Sequence, residues 1–492
     1  MTDKHSSNAF KTLDRDLKRI SVLESANYYI AKPLVAPGLA LAFLILAGLV
    51  SAIFFTSDSN NFIILAAAIM GAYMAINIGA NDVANNMAPA VGANALTMTG
   101  AIAIAAIFES MGALLAGGDV VSTISKGIID PSGINDANIF IWAMMAALLS
   151  SALWVNLATW IGAPVSTTHS VVGGVMGAGI AAAGLAAVNW PTMGKIAASW
   201  IISPVLGGVI AALFLSLIKS KIIYTDDKIK NARRWVPILI AIMIGAFTTY
   251  LAMKGLKKII KIDLAIALSS GVVIAFLGYL VSKPLINKQA NGLENKNKSV
   301  KILFRIPLIF SAALLSFAHG ANDVANAVGP LAAIVHSVQF DSFSAKVVIP
   351  LWVMMIGAFG ISFGLFLFGP KLIRRVGSQI TKLNPMRGYC IALSAAITVI
   401  IASWLGLPVS STHIALGAVF GVGFFREWDA ERRKRLNLSS GKIKSLGSNE
   451  RHRRKLIRRS HFLTILAAWV ITVPCSATIS AAIYFGLNYL MV

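Results

Sequence analysis

Gly79-Ala-Asn-Asp-Val-Ala-Asn85 is written a second time in this chain, as Gly320-Ala-Asn-Asp-Val-Ala-Asn326. Each copy lies inside a long apolar stretch. An ionised Asp at the centre of a membrane helix costs about 2.5–3.5 kcal/mol on insertion scales, so a carboxylate kept there marks a functional position. Two identical polar heptapeptides, 241 residues apart, imply a duplicated membrane domain with a polar site shared between its halves.

Composition agrees. Of 492 residues, 57% are hydrophobic and 13% charged, where soluble domains carry about 25% charged residues. Thirteen apolar segments stand out, at 35–55, 62–80, 98–117, 138–161, 165–188, 196–218, 236–253, 263–282, 303–319, 347–369, 388–405, 408–425 and 462–490. Segments of this kind cross roughly 30 Å of hydrocarbon as helices, and the short alternating runs of a β-barrel are missing. The expected fold is an all-α polytopic membrane protein with about 13 apolar spans.

The repeat extends beyond the first motif. Ala158-Thr-Trp-Ile-Gly-Ala-Pro-Val-Ser-Thr-Thr-His169 matches Ala402-Ser-Trp-Leu-Gly-Leu-Pro-Val-Ser-Ser-Thr-His413 at eight of twelve positions, with an offset of 244. A weaker match pairs Ser199-Trp200 and Pro204 with Ala468-Trp469 and Pro474. The chain therefore divides into a polar, amphipathic N-terminal segment (1–34), an extra N-terminal helix (35–55), a five-span repeat (62–218), basic loops with two spacer helices (219–302), and a second five-span repeat (303–490) that contains a basic loop (426–461). Seven crossings separate equivalent points of the repeats. Seven is odd, so the halves face opposite ways, which is the inverted-repeat plan of secondary transporters with broken or re-entrant helices at the midplane.

The net charge of +23 sits between the apolar spans. Residues 426–459 hold thirteen Lys/Arg against the acids Glu427, Asp429, Glu431 and Glu450. No aromatic or recognition-fold pattern accompanies this run, so the reading is a cytoplasmic loop obeying the positive-inside rule, with no nucleic-acid partner. A cytoplasmic N-terminus also places the basic stretches 219–234, 283–301 and 371–387 inside; Lys254, Lys257, Lys258 and Lys261 are the exception. The expected location is a bacterial inner (plasma) membrane. Cys390 and Cys475 both lie in apolar spans and offer neither a disulfide framework nor metal spacing. The first 34 residues show no signal-peptide pattern.

Within the first motif pair, Gly79 and Gly320 open and Pro89 and Pro330 close a helix interruption that would free backbone carbonyls around a protected cavity. Asn81, Asp82, Asn85, Asn322, Asp323 and Asn326 then supply oxygens suited to a hard cation, with Na+ at Asp82 and Asp323. In the second pair, Pro164 and Pro408 precede Ser166, Thr167, Thr168 and Ser410, Ser411, Thr412. Proline favours a first helical turn, where free N–H groups and the positive dipole end collect, so these hydroxyls would line a pocket for a tetrahedral oxyanion. His169 and His413 are either hydrogen-bonded interior groups or proton carriers. Glu109 stands alone in an apolar run, as a cation ligand, a proton relay or a neutral buried carboxyl. A multivalent anion beside two carboxylates is repelled in a low-dielectric site, so cations must enter with it. Co-binding makes each ligand favour the other, which is symport.

At GANDVANN (79–86), GANDVANAVGP (320–330) and the two Pro-Val-Ser-[Thr/Ser]-Thr-His segments, the chain resembles the inorganic phosphate transporter (PiT) family of phosphate:sodium and phosphate:proton symporters. Phe108-Glu-Ser-Met-Gly-Ala113 and Ser125-Lys-Gly-Ile-Ile-Asp130 are similar to family segments too, and the resemblance covers 62–490. It implies that the Asn/Asp clusters hold coupling cations and the Ser/Thr clusters hold inorganic phosphate, with Na+ or H+ co-transported, no cofactor, and no enzymatic activity. The residues alone specify only an oxyanion, so a sulfate permease is the alternative substrate reading. A passive anion channel and a membrane hydrolase are further rivals. Whether the chain forms a homodimer is left open. The resemblance also implies a second-half glutamate in the segment Tyr389-Cys-Ile-Ala-Leu393, where this chain has Ala392.

Overall fold

The structure is a computed structural model that describes residues 11–54, 61–130, 136–162, 165–255, 262–340, 349–379, 384–439 and 459–491. The apolar segments within these residues fold as helices. In chain order they are α1 (Lys11–Phe54), α2 (Asn61–Asn81), α3 (Val83–Gly92), α4 (Met98–Ala116), α5 (Gly118–Ser122), α6 (Ala137–Ile161), α7 (Thr167–Ala183), α8 (Trp190–Ile218), α9 (Lys228–Lys254), α10 (Leu264–Ala290), α11 (Asn297–Leu303), α12 (Arg305–Asp323), α13 (Ala325–Phe340), α14 (Leu351–Gln379), α15 (Pro385–Trp404), α16 (Ser411–Ser439) and α17 (Arg459–Met491). Short π turns follow α5 (Thr123–Gly127) and α8 (Lys219–Ile223). Polar residues begin several of these helices by accepting a free backbone N–H. Thr97 takes that of Gly100, Asn189 that of Thr192, and Asn384 that of Arg387.

Eleven helical stretches among the described residues are long and apolar enough to cross a membrane. The two expected spans that fall out are 165–188 and 408–425. Helix α7 has 17 residues and is about 26 Å long at 1.5 Å per residue, short of the hydrocarbon core. Helix α16 leaves its apolar part at Arg426. Both are the helices that start at the hydroxyl motifs. The breaks expected at the acidic motifs are slighter than a re-entrant loop. One residue, Asp82, separates α2 from α3, and one, Val324, separates α12 from α13. The amide of Asp82 still bonds the Ile78 carbonyl at 2.9 Å, so the backbone ladder runs almost through the motif.

Gly79 and Gly320 do not open these breaks. They permit helix crossings. A Cβ on Gly79 would lie 1.8 Å from the Ile361 carbonyl oxygen of α14, and one on Gly320 would lie 2.1 Å from that of Glu109 on α4. The first helix of each half thus packs on the second helix of the other half, α2 on α14 and α12 on α4. The later helices repeat the exchange, α7 against α17 and α16 against α8. There Gly177 faces the Ala477 carbonyl and Gly421 the Gly208 carbonyl, with a Cβ at 2.2 and 2.0 Å respectively. Such close approach is how membrane helices gain dispersion contact when lipid supplies no hydrophobic drive between them. Helices α9 and α10 form a pair of their own, and α1 packs on α2 and α14. Helix α1 is continuous from Lys11, so the amphipathic stretch and the extra span share one helix. Pro164 lies outside the described residues, as do Lys257, Lys258 and Lys261.

A polar strap ties α16 to the end of α8. Lys219 Nζ lies 2.8 Å from Asp429 Oδ2, Tyr224 donates its hydroxyl to the same oxygen, and the Arg433 guanidinium stacks 3.0 Å over the Tyr224 ring. On another face Lys254, the exception to the positive-inside pattern, pairs with Asp119. Burial pushes the Asp429 carboxyl up, but the hydrogen bonds from Lys219 and Tyr224 and the nearby charges outweigh it, leaving the group below its ordinary range.

Two outcomes are expected. Gly364→Ala and Gly421→Ala, which place a Cβ about 2 Å from a facing backbone, each destabilise the purified protein in thermal unfolding by about 1–3 kcal/mol. Gly194→Ala, with nothing within 4 Å of its Cβ, does not. For Asp429 the depressed pKa means its stabilisation is complete above the unfolded carboxylate value and is lost as pH falls through the folded one. The thermal advantage of wild type over Asp429→Asn therefore holds at neutral pH and shrinks below about pH 4.

Candidate functional site

All twelve residues of the two motif pairs converge, and none is more than 8% exposed. Their contacts recur at the sequence offsets of the repeat. Asn81 Nδ2 donates to Thr159 Oγ1 at 2.8 Å, and Asn322 Nδ2 to Ser403 Oγ at 3.0 Å. Thr167 Oγ1 donates to Asp82 Oδ2 at 2.6 Å, and Ser411 Oγ to Asp323 Oδ2 at 3.1 Å. Asn85 Nδ2 donates to Thr412 Oγ1 at 2.9 Å, and Asn326 Nδ2 to Thr168 Oγ1 at 3.2 Å. The last two bonds join an acidic motif of one half to a hydroxyl motif of the other. So does Thr412 Oγ1, which donates to Asp82 Oδ1 at 3.1 Å.

Each carboxylate is thus held by hydroxyls at the start of α7 or α16. Those helices begin where they do because Ser166 Oγ accepts from the His169 amide and Ser410 Oγ from that of His413. The Ser166 and Ser410 oxygens are therefore engaged as helix caps, a role the sequence reading did not give them. Thr168 Oγ1 donates across the halves to the Val409 carbonyl at 3.0 Å. Pro89 and Pro330 sit inside α3 and α13, where they lack the N–H that would bond the carbonyls of Asn85 and Asn326. Four buried side-chain oxygens, Asn81 Oδ1, Asn86 Oδ1, Asp323 Oδ1 and Asn326 Oδ1, have no hydrogen-bond partner among the described residues. Buried oxygens without donors are unusual and suit a cation.

His169 and His413 meet ring to ring at 4.6 Å between centroids, and Trp200 lies 3.8 Å from the His169 ring. Neither ring nitrogen of His169 has a hydrogen-bond partner among the described residues, and the ring packs as an aromatic plate. Trp200 itself donates to the Pro408 carbonyl at 3.1 Å.

One part of the site is not duplicated. Glu109, fully buried, accepts from Asn86 Nδ2 at 2.9 Å and lies 2.5 Å from His319 Nδ1. His319 Nε2 in turn lies 2.8 Å from Asp323 Oδ2. At the repeat offset the counterpart of His319 is Ile78 and that of Asn86 is Ala327. By helix packing the counterpart of Glu109 is Ile361, since these two carbonyls face Gly320 and Gly79. Ala392 therefore does not stand at the place related to Glu109. His319 was missed in the sequence although a signal existed: it is an ionisable residue in an apolar span, four positions before Asp323.

The sequence pattern of the "Phosphate transporter family" matches residues 78–480, which span all of these groups. The chain belongs to the phosphate transporter family. It is 46% identical to the "Putative phosphate permease" of Helicobacter pylori strain J99, over 96% of this chain and 99% of that one. It is 37% identical to the protein of the same description from Pyrococcus furiosus, over 87% and 97%. A solved structure titled "The sodium-dependent phosphate transporter" superposes with a TM-score of 0.79 at 35% identity, over 88% of this chain and 100% of that chain. This family member is an integral membrane protein of a transporter class rather than an enzyme.

The cross-half bond gives a direct check. In a double-mutant cycle of Asn85→Ala and Thr412→Val, thermal unfolding of the family member is expected to show a coupling of about 0.5–1.5 kcal/mol, against none between Asn85→Ala and Thr478→Val, whose hydroxyl is bonded within its own helix.

Proposed function

We propose that the chain imports inorganic phosphate by symport with Na+, using two inverted repeats that close on one shared site. The observation that carries this reading is the convergence of Asp82 and Asp323, one from each half, to within 4.8 Å, ringed by hydroxyls and by buried oxygens that lack donors. Two carboxylates so close repel each other and any anion beside them, and the low dielectric magnifies the repulsion. Cations at Asp82, Asp323 and the facing Asn81, Asn85, Asn322 and Asn326 remove it.

The hydroxyls of Thr167, Thr168, Ser411 and Thr412 stand at helix starts, where backbone N–H groups and the dipole favour an oxyanion. In the structure these hydroxyls donate to the carboxylates and carbonyls. Cations arriving at the carboxylates release them to the anion, so that neither ligand binds well alone. That mutual dependence is the coupling. His169, whose ring nitrogens have no hydrogen-bond partner among the described residues, packs against Trp200 and His413 and carries no proton in this scheme. Na+ is favoured over H+ by the donor-free oxygens and by the similarity to a sodium-dependent transporter. Phosphate is favoured over sulfate by the family.

Phosphate uptake into proteoliposomes tests both choices. An inward Na+ gradient is expected to drive accumulation and an inward H+ gradient is not, with sulfate a poor competitor. Asp82→Asn and Asp323→Asn should each reduce Na+-driven uptake by at least about tenfold, the equivalent of 1.4 kcal/mol. Normal uptake with normal Na+ dependence in both variants would falsify the assignment.

A further inference from the structure

The asymmetric corner of the site has a chemistry that sodium does not need. His319 is fully buried, with Nδ1 at 2.5 Å from Glu109 Oε2 and Nε2 at 2.8 Å from Asp323 Oδ2. Among the described residues neither Nε2 nor Asp323 Oδ1 has a well-aligned hydrogen-bond partner, although Nε2 lies at ion-pair distance from Oδ2. One ligand atom each from Asp82, His319 and Asp323 falls within a 4.8 Å cluster. A metal bound at about 2.0–2.2 Å to imidazole nitrogen and carboxylate oxygen needs its ligand atoms about 3 Å apart, so small adjustments suffice.

Glu109 completes the pattern. A metal-binding His almost always gives its other ring N–H to a carboxylate, which fixes the tautomer and makes the ligating nitrogen more basic. With Nδ1–H given to Glu109, the Nε2 lone pair would be left for the cluster, and Asn86 donates to Glu109 from the other side. The fold does not require this trio, because Ile78, Ala327 and Ile361 occupy the related positions of the other half.

We propose that Asp82, His319 and Asp323 form a site for a divalent first-row transition cation, with Glu109 as the carboxylate behind the histidine. The imidazole nitrogen favours such ions over Mg2+ and Ca2+, which take oxygen, and Mn2+, the most oxygen-preferring of them, is the most demanding probe of that nitrogen. A single divalent ion neutralises both carboxylates, so it competes with Na+ for them. The inference rests on the reading of Asp323 as a cation ligand.

The test uses full-length purified protein in Na+-free buffer, titrated with Mn2+ and followed by electron paramagnetic resonance. One saturable Mn2+ site per chain is expected, with spin-echo modulation from a directly bound nitrogen. Na+ should displace the ion, and a large excess of Mg2+ should not. His319→Gln should abolish the nitrogen modulation, and Glu109→Gln should weaken Mn2+ about 10–100-fold. Absence of nitrogen modulation in wild type, or displacement by Mg2+ as readily as by Na+, overturns the proposal whatever the variants do. If Asp323→Asn retains Na+-driven phosphate uptake, the cation-site reading itself falls. If uptake depends on Asp323 while wild type binds no nitrogen-coordinated Mn2+, this inference alone is wrong.

Discussion

Two carboxylates buried beside each other in the middle of a membrane protein impose the rest of the design. Asp82 and Asp323 are 2% and 1% exposed, and an uncompensated charge there would cost several kcal/mol. The compensation comes from hydroxyls on other helices, joined at Asp323 by His319 of its own helix. Thr167 and Thr412 serve Asp82 from α7 and α16, so both halves must meet for that acid to be held, while Asp323 is met by Ser411 and His319. Interlocked packing follows from that need. Glycines at the crossings let α2 reach α14 and α12 reach α4 with backbones in near contact.

In the proposed symport the same arrangement would tie binding to conformation. A closed site satisfied by its own hydroxyl–carboxylate bonds opens to ligands only by exchanging those bonds. Oxygens at Asn81, Asn86, Asp323 and Asn326 that find no donor among the described residues are what the proposed cation site adds to a polar core that would otherwise only hold helices together. Helices α7 and α16, too short or too charged to span alone, bring their starts to this centre, where Ser166 and Ser410 cap the amides of His169 and His413.

Near-symmetry also sharpens the meaning of what is not symmetric. Asn81 and Asn322 find Thr159 and Ser403 at matching offsets, and Asp82 and Asp323 find Thr167 and Ser411. Against this background the chain Asn86–Glu109–His319–Asp323 belongs to one half only. Burying these polar groups in one half alone costs free energy that the symmetric packing does not demand.

Hydropathy and the doubled motifs were enough to establish a helical membrane protein and to single out the polar residues that converge in its interior, because apolar length and repeated polar heptapeptides are local properties of the chain. Partnerships were not legible. Glu109 and His319 are 210 residues apart in sequence, and nothing local pairs them. The role of Gly79 depended on a carbonyl of α14, and the Ser166 and Ser410 oxygens turned out to be held by the helices they begin. Periodicity and motif spacing report what a segment is; which segment it faces is decided by packing, where burial forces each polar atom to find a partner from whatever part of the chain lies opposite.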